Sequence, residues 1–135
     1  ELRASYPHHE LCVVFGATGG KGVDRRDTMG IAAGRLADRI VITEDDPGPE
    51  SVEDICRTIA QRVEEQGNTC WKIVCDREQA IRTALADAHK PAVVLVSGKG
   101  SEATMVRANG PEPWETDAVV FARALSDMAA GSLDV

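Results

Sequence analysis

Apolar and polar positions along the chain fall into two alternating rhythms. Short, almost uninterrupted apolar runs occupy Leu11 to Phe15, Arg39 to Thr43, Trp71 to Cys75 and Ala92 to Val96. Runs of that length without period-two polarity read as strands buried on both faces. Between them apolar residues recur at helical spacing. Met29, Ala32, Ala33, Leu36 and Ala37 make a narrow first stripe, and Val52, Ile55, Cys56, Ile59, Ala60 and Val63 make a broader second one. Ser51 is placed to cap the second helix, with Glu53 and Asp54 in its first turn and Gly67 beyond its end. Asp76 caps a third helix facing inward through Ala80, Ile81, Ala84, Leu85 and Ala88, with Pro91 at its exit. Thr104 to Arg107 reads as a short edge strand, and Gly110 to Pro113 as the lead into a last helix. That helix is capped at Thr116 and packs through Val119, Ala122, Leu125 and Ala129.

Strands alternating with helices predict an open, doubly wound (Rossmann-like) α/β domain, its mostly parallel sheet covered by helices on both faces. Its 135 residues suit one such domain. In these sheets the ligand crevice lies beyond the carboxyl ends of the strands. Here those ends are residues 16–22, 44–48, 76 and 97–102.

A formal charge of −7 argues against a nucleic-acid surface or an anionic membrane face, since that field attracts neither. No apolar stretch is long enough to span a bilayer. Aromatic residues make up only 4%, so the core is expected to consist of small aliphatic side chains. Cys12, Cys56, Cys70 and Cys75 match no zinc or redox spacing and read as buried thiols of a cytoplasmic protein. His8 and His9 have no spaced partner, so no metal site is expected. The absence of an initiator Met at Glu1 suggests a fragment of a longer chain.

The stretch after the first strand carries Gly16, Gly19, Gly20 and Gly22 ahead of a helix, a pattern that serves either a phosphate or nucleotide contact or a plain tight turn. Around the strand ends stand Lys21, Arg25 and Arg26 on one side and Asp45, Asp46 and Glu102 on the other. Such a set could hold a zwitterion, an Arg pairing with a carboxylate and carboxylates accepting from an ammonium group. The alternative is that these residues decorate a solvated helix start and a turn. Lys99 is not a P-loop lysine, because Val94 stands where the motif needs Gly and Gly100 where it needs Ser or Thr. No nucleophile–base set is evident, so no catalytic residue is assigned.

The residues 13–20 (Val-Val-Phe-Gly-Ala-Thr-Gly-Gly), Arg26 with Met29 and Gly30, residues 37–43 before Asp45-Asp46-Pro47, Asp76-Arg77 with Ala80 and Ile81, and residues 94–100 with Glu102 together resemble the C-terminal domain of the Mur ligases. The likeness spans about residue 11 to 128. It is greatest to the tripeptide synthetases that add a diamino acid to the peptidoglycan precursor. The resemblance implies that ATP phosphorylates the carboxyl end of a UDP-N-acetylmuramoyl dipeptide and that an incoming amine displaces the phosphate to form an amide. By position, Arg26 would grip the amino-acid carboxylate, and Asp45, Asp46, Gly98 and Glu102 would surround the amine-bearing end. Gly19, Gly20 and Lys21 would lie near the ATP phosphates, Lys21 standing where the family usually carries Arg.

Relatives that select meso-diaminopimelate usually follow the Asp-Asn-Pro motif with Arg, which pairs with the second carboxylate. Gly48 stands there instead, so L-lysine is the expected substrate. ATP and Mg2+ would act mainly through a central domain absent from this chain, and the uridine nucleotide through an absent N-terminal domain. The domain's own first strand and helix would precede Glu1, with Leu2 and Arg3 as the tail of that helix. The chain alone is therefore expected to be inactive. Two rivals remain: an NAD(P)-binding sensor like the short-chain dehydrogenases, lacking their Tyr-Lys pair, and a non-catalytic regulatory module.

Overall fold

The four apolar runs do pair side by side. In the computed structural model, which describes residues 2–20, 22–89 and 91–131, a short helix α1 (Leu2–Ser5) precedes β1 (Glu10–Phe15). The strands β2 (Arg39–Ile42), β3 (Trp71–Ile73) and β4 (Ala92–Val96) join β1 in one parallel sheet of order β3-β2-β1-β4. Helices α2 (Val23–Leu36) and α3 (Val52–Glu65) pack on one face, and α4 (Arg77–Asp87) and α5 (Asp117–Ala129) on the other.

Successive side chains of a strand point to opposite faces, and β1 and β2 show what that does. Phe15, Ile40 and Ile42 enter one core with Ile55, Ile59 and Val63 of α3. Val14 and Val41 enter the other with Ala80, Ile81 and Ala84 of α4 and Val120 and Ala124 of α5. Each fully buried Ile or Val contributes roughly 1.5–3 kcal/mol. The expected caps form: Ser51 accepts from the Asp54 N–H at 3.2 Å, Asp76 from Gln79 at 3.0 Å and Thr116 from Val119 at 3.4 Å.

The structure departs from the sequence reading in the details of packing. The buried edge of α2 consists of Arg26, Gly30 and Gly34, whereas Leu36 is 63% exposed. A Cβ at Gly30 would lie 2.8 Å from both the Ile59 carbonyl oxygen and Arg62 Cβ, so glycine lets α2 approach the α3 backbone directly. The inward face of α5 is Asp117, Val120 and Ala124, not Val119 and Leu125, which are 48% and 44% exposed. Apolar residues at 119, 120 and 121 allow either face, and the buried partner of Asp117 decides between them.

β3 is shorter than expected, ending at Ile73, and Cys70 is exposed. β5 (Thr104–Arg107) does not extend the sheet; it pairs antiparallel with β6 (Gly110–Pro113), formed from the residues read as a lead-in. β4 lies at the sheet edge, so Leu95 is 40% exposed despite belonging to the most apolar run. An open apolar groove of about 420 Å³ runs there, lined by Leu2, Leu11, Phe15, Met29, Leu36 and Leu95 among others.

The close approach of α2 and α3 yields a test. Gly30→Ala should destabilise the chain by roughly 1–3 kcal/mol in urea unfolding, although Ala is the better helix former, because the overlap falls on backbone.

Candidate functional site

Three of the parallel strands, β1, β2 and β4, deliver their carboxyl ends to one place. Gly16, just past β1, lies so close to the Thr43 carbonyl that a Cβ would overlap it. Past β2 the chain runs through Glu44 and Asp45 into a turn in which Asp46 has φ 47° and Gly48 φ 59°. The left-handed residue at 46 reverses the chain, and Asp accepts that conformation more readily than most residues. The turn is fastened from outside. Gly48 N–H donates to the Val106 carbonyl at 2.9 Å, and Val106 N–H donates to Asp46 Oδ1 at 2.8 Å. The β5–β6 hairpin thus serves as a clip on the acidic turn.

A fully buried Arg77 organises the interior of this region. Its Nε and Nη2 donate to Asp117 at 2.9 and 2.8 Å, Nη1 to the Glu44 carbonyl at 2.9 Å and Nη2 also to the Ser97 carbonyl at 3.0 Å. One guanidinium therefore ties together the ends of β2 and β4 and the start of α5. Glu44 is buried too, accepting from the Arg77 N–H at 3.1 Å and pairing with Arg107 of the hairpin at 2.7 and 2.9 Å.

Beside this frame sit the residues expected at the amine-bearing end. Asp46 and Glu102 are joined by Lys99, whose buried ammonium donates to Asp46 Oδ1 at 2.6 Å and to Glu102 Oε1 at 2.9 Å. Burial opposes ionisation of Asp46, but the Lys99 ammonium and the Val106 N–H outweigh it and hold its carboxyl below the usual range. Burial likewise opposes the charge on Lys99, and its two carboxylate partners more than restore it. Asp45 differs. It is 8% exposed, and its carboxylate accepts no hydrogen bond from the described residues. Burial pushes its pKa up, with Arg77 and Lys99 opposing at longer range. A Cβ at Gly98 (φ 118°) would lie 2.5 Å from Asp45 Oδ2, so a glycine is required for the two to approach.

The second cluster lies across the same turn. Arg26 pairs bidentately with Glu50, Nη1 to Oε2 and Nη2 to Oε1 both at 2.7 Å. Arg26 Nη2 also reaches the Thr18 carbonyl at 3.2 Å. In the glycine stretch, Gly19 N–H donates to the Asp46 carbonyl at 3.1 Å and Gly20 N–H to Glu50 Oε1 at 3.0 Å. Both N–H groups thus meet acceptors of the 46–50 turn. Lys21 lies outside the described residues. Among the described residues no group of three His, Cys, Asp or Glu side chains is arranged to hold a metal ion, and no helix is long and apolar enough to cross a membrane.

Three charged residues important here were not singled out as site residues by sequence reasoning: Glu50, Arg107 and Asp117. Their ion pairs with Arg26, Glu44 and Arg77 span 24 to 63 residues, and no local spacing announces those pairs. Arg77 and Lys99 stood only as residues of the family likeness, Lys99 being also a lysine outside any P-loop; its acidic partner three residues on, Glu102, was the available clue.

A family model described as "Mur ligase, glutamate ligase domain" matches residues 1–100, well over half of the chain. The chain belongs to the Mur ligase family. The relatives of this Mur ligase domain include a UDP-N-acetylmuramyl-tripeptide synthetase of Lactobacillus delbrueckii subsp. bulgaricus, 31% identical over 128 residues, covering 94% of this chain and 24% of the relative. A UDP-N-acetylmuramoyl-L-alanyl-D-glutamate–2,6-diaminopimelate ligase of Prochlorococcus marinus is 42% identical over 103 residues, covering 75% and 20%. A solved structure of a ligase of the latter name superposes with a TM-score of 0.82 at 25% identity, covering 95% of this chain and 26% of that one. The Mur ligase domain therefore spans about a quarter of the length of these relatives. The matching family model is that of the C-terminal domain of such ligases, as the residue motifs implied.

The buried guanidinium of the Mur ligase domain can be tested directly. Arg77→Met should cost about 3–5 kcal/mol in urea unfolding, because it strands Asp117 without a counter-charge. Adding Asp117→Asn to that variant should recover part of the loss, a coupling that a double-mutant cycle reads out.

Proposed function

We propose that this chain is the amino-acid-receiving domain of an ATP-dependent ligase that joins a diamino acid, L-lysine in preference to meso-diaminopimelate, to UDP-N-acetylmuramoyl-L-alanyl-D-glutamate in peptidoglycan synthesis. The observation that carries the reading is Asp45, a buried carboxylate at the shared end of the strands that accepts no hydrogen bond among the described residues. Asp46 and Glu102 are already joined through Lys99, which leaves Asp45 as the acceptor for an incoming ammonium group. Across the turn, Arg26 is the cation for the ligand's carboxylate. A diamino acid held in this way keeps one ammonium charged on Asp45 and presents its other nitrogen for acylation once deprotonated.

Position 48 supports lysine. Gly48 supplies no cation, and a Cβ there would meet nothing within 4 Å, so a second ligand carboxylate at this point would have open space and no partner from residue 48. ATP and Mg2+ belong in this proposal to a central domain outside this chain, and the uridine nucleotide to an N-terminal one. Gly19 and Gly20 would border the nucleotide as second-line contacts, since their N–H groups already have acceptors. Lys21 completes that proposed set. On this view the chain by itself has no ligase activity, because the phosphoryl transfer is stabilised elsewhere.

Calorimetric titration with L-lysine and meso-diaminopimelate tests the reading; lysine should bind more tightly, and Asp45→Asn should abolish its binding while the fold is kept. An ammonium ligand needs Asp45 ionised, and the Asp45 pKa is raised. Affinity should therefore be full at neutral pH and fall away as pH drops through a midpoint above the ordinary value of 3.8. Gly48→Arg should reverse the preference by roughly tenfold or more toward diaminopimelate, the range expected of a charge-assisted hydrogen bond. Equal binding of both amino acids by the unaltered chain would overturn the lysine assignment.

A further inference from the structure

We propose that Arg26 and the Gly20 N–H form a carboxylate seat that Glu50 fills from within the chain, so that a ligand carboxylate enters only by displacing Glu50. The proposal deepens the amino-acid-receiving role and rests on that reading for the identity of the ligand, though not for the existence of the seat.

The two partners of the ion pair are held differently. Arg26 belongs to the buried edge of α2, its side chain is 7% exposed, and Nη2 is anchored to the Thr18 carbonyl independently of Glu50. The Glu50 side chain is 34% exposed and reaches out of the turn between β2 and α3. Among the described residues, every hydrogen bond its carboxylate accepts comes from the seat: Arg26 Nη1 and Nη2 at 2.7 Å and Gly20 N at 3.0 Å. Three donors converge on one carboxylate, two of them in the planar fork that any carboxylate matches. Rotating one partly exposed side chain empties the seat without moving the backbone.

The tether makes Glu50 a threshold. A group attached to the same turn competes at an effective concentration of millimolar order or higher, so a lone free carboxylate at lower concentration does not displace it. A ligand that also places an ammonium on Asp45, five residues earlier on the same turn, gains a second contact and does. The seat thereby admits zwitterions and refuses simple carboxylates.

Acetate is the fragment that Glu50→Ala removes, and the Gly20 amide reports the seat. In amide NMR titrations, acetate should shift the Gly20 resonance saturably in Glu50→Ala, at concentrations at least tenfold below any response of the unaltered chain. Glu53→Ala, which removes an equal charge from the first turn of α3, should behave as the unaltered chain does. Glu50→Gln keeps the side chain's volume and should give an intermediate acetate response, which guards against a fold defect in the alanine variant. No saturable shift in both Glu50 variants, or an equal gain in Glu53→Ala, overturns the proposal. In parallel, Glu50→Ala should tighten L-lysine roughly tenfold and leave cadaverine, which has no carboxylate, unchanged. Acetate binding without the lysine gain keeps the seat and removes the diamino acid from it, while loss of the acetate response with lysine binding intact does the reverse.

Discussion

A guanidinium with no exposure to water is tolerable only if each of its donors finds an acceptor, and that requirement at Arg77 shapes the whole carboxyl end of the sheet. Its partners come from β2, β4 and α5, parts of the chain that share no local contact. Satisfying them fixes how far the strand ends stand apart and which face of α5 turns inward. The acidic turn after β2 inherits its position from this frame, because Glu44 joins the frame by its backbone carbonyl and by its side chain.

Around that frame the charges are sorted by how completely they are answered. Arg77 with Asp117, Arg107 with Glu44, and Lys99 with Asp46 and Glu102 are closed sets. Asp45 is the buried acid left open, and the Arg26–Glu50 pair is closed by a side chain that itself reaches solvent. The proposed binding role falls to the incompletely answered groups, while the answered ones hold shape.

Much of this was legible in the sequence because it is local. Ser51, Asp76 and Thr116 cap helices three residues away, and the strands announce themselves as continuous apolar runs. The α/β class, the motif residues and the family resemblance follow from such short-range signals. What was not legible is set by partners distant in the chain. Leu36 and Leu95 are apolar yet exposed, since sheet order and not composition decides which strand lies at the edge. Glycines at 30 and 34 look like gaps in a helical stripe, although they are its closest points of contact. Asp45, Asp46, Gly98 and Glu102 come together at the ends of the strands, but Lys99 and Glu50, which pair with charges there, could be recognised as partners only once the loops were brought together.

The link between Arg77 and Asp117 also imposes an order on assembly. The sheet and its first three large helices lie within the first 96 residues, yet the guanidinium at their centre waits for an acid forty positions downstream. Closing so long a loop is costly in chain entropy until the contact itself forms. During synthesis Arg77 stays without its acid until Asp117 has emerged, so docking of the final helix completes the frame on which the acidic turn rests.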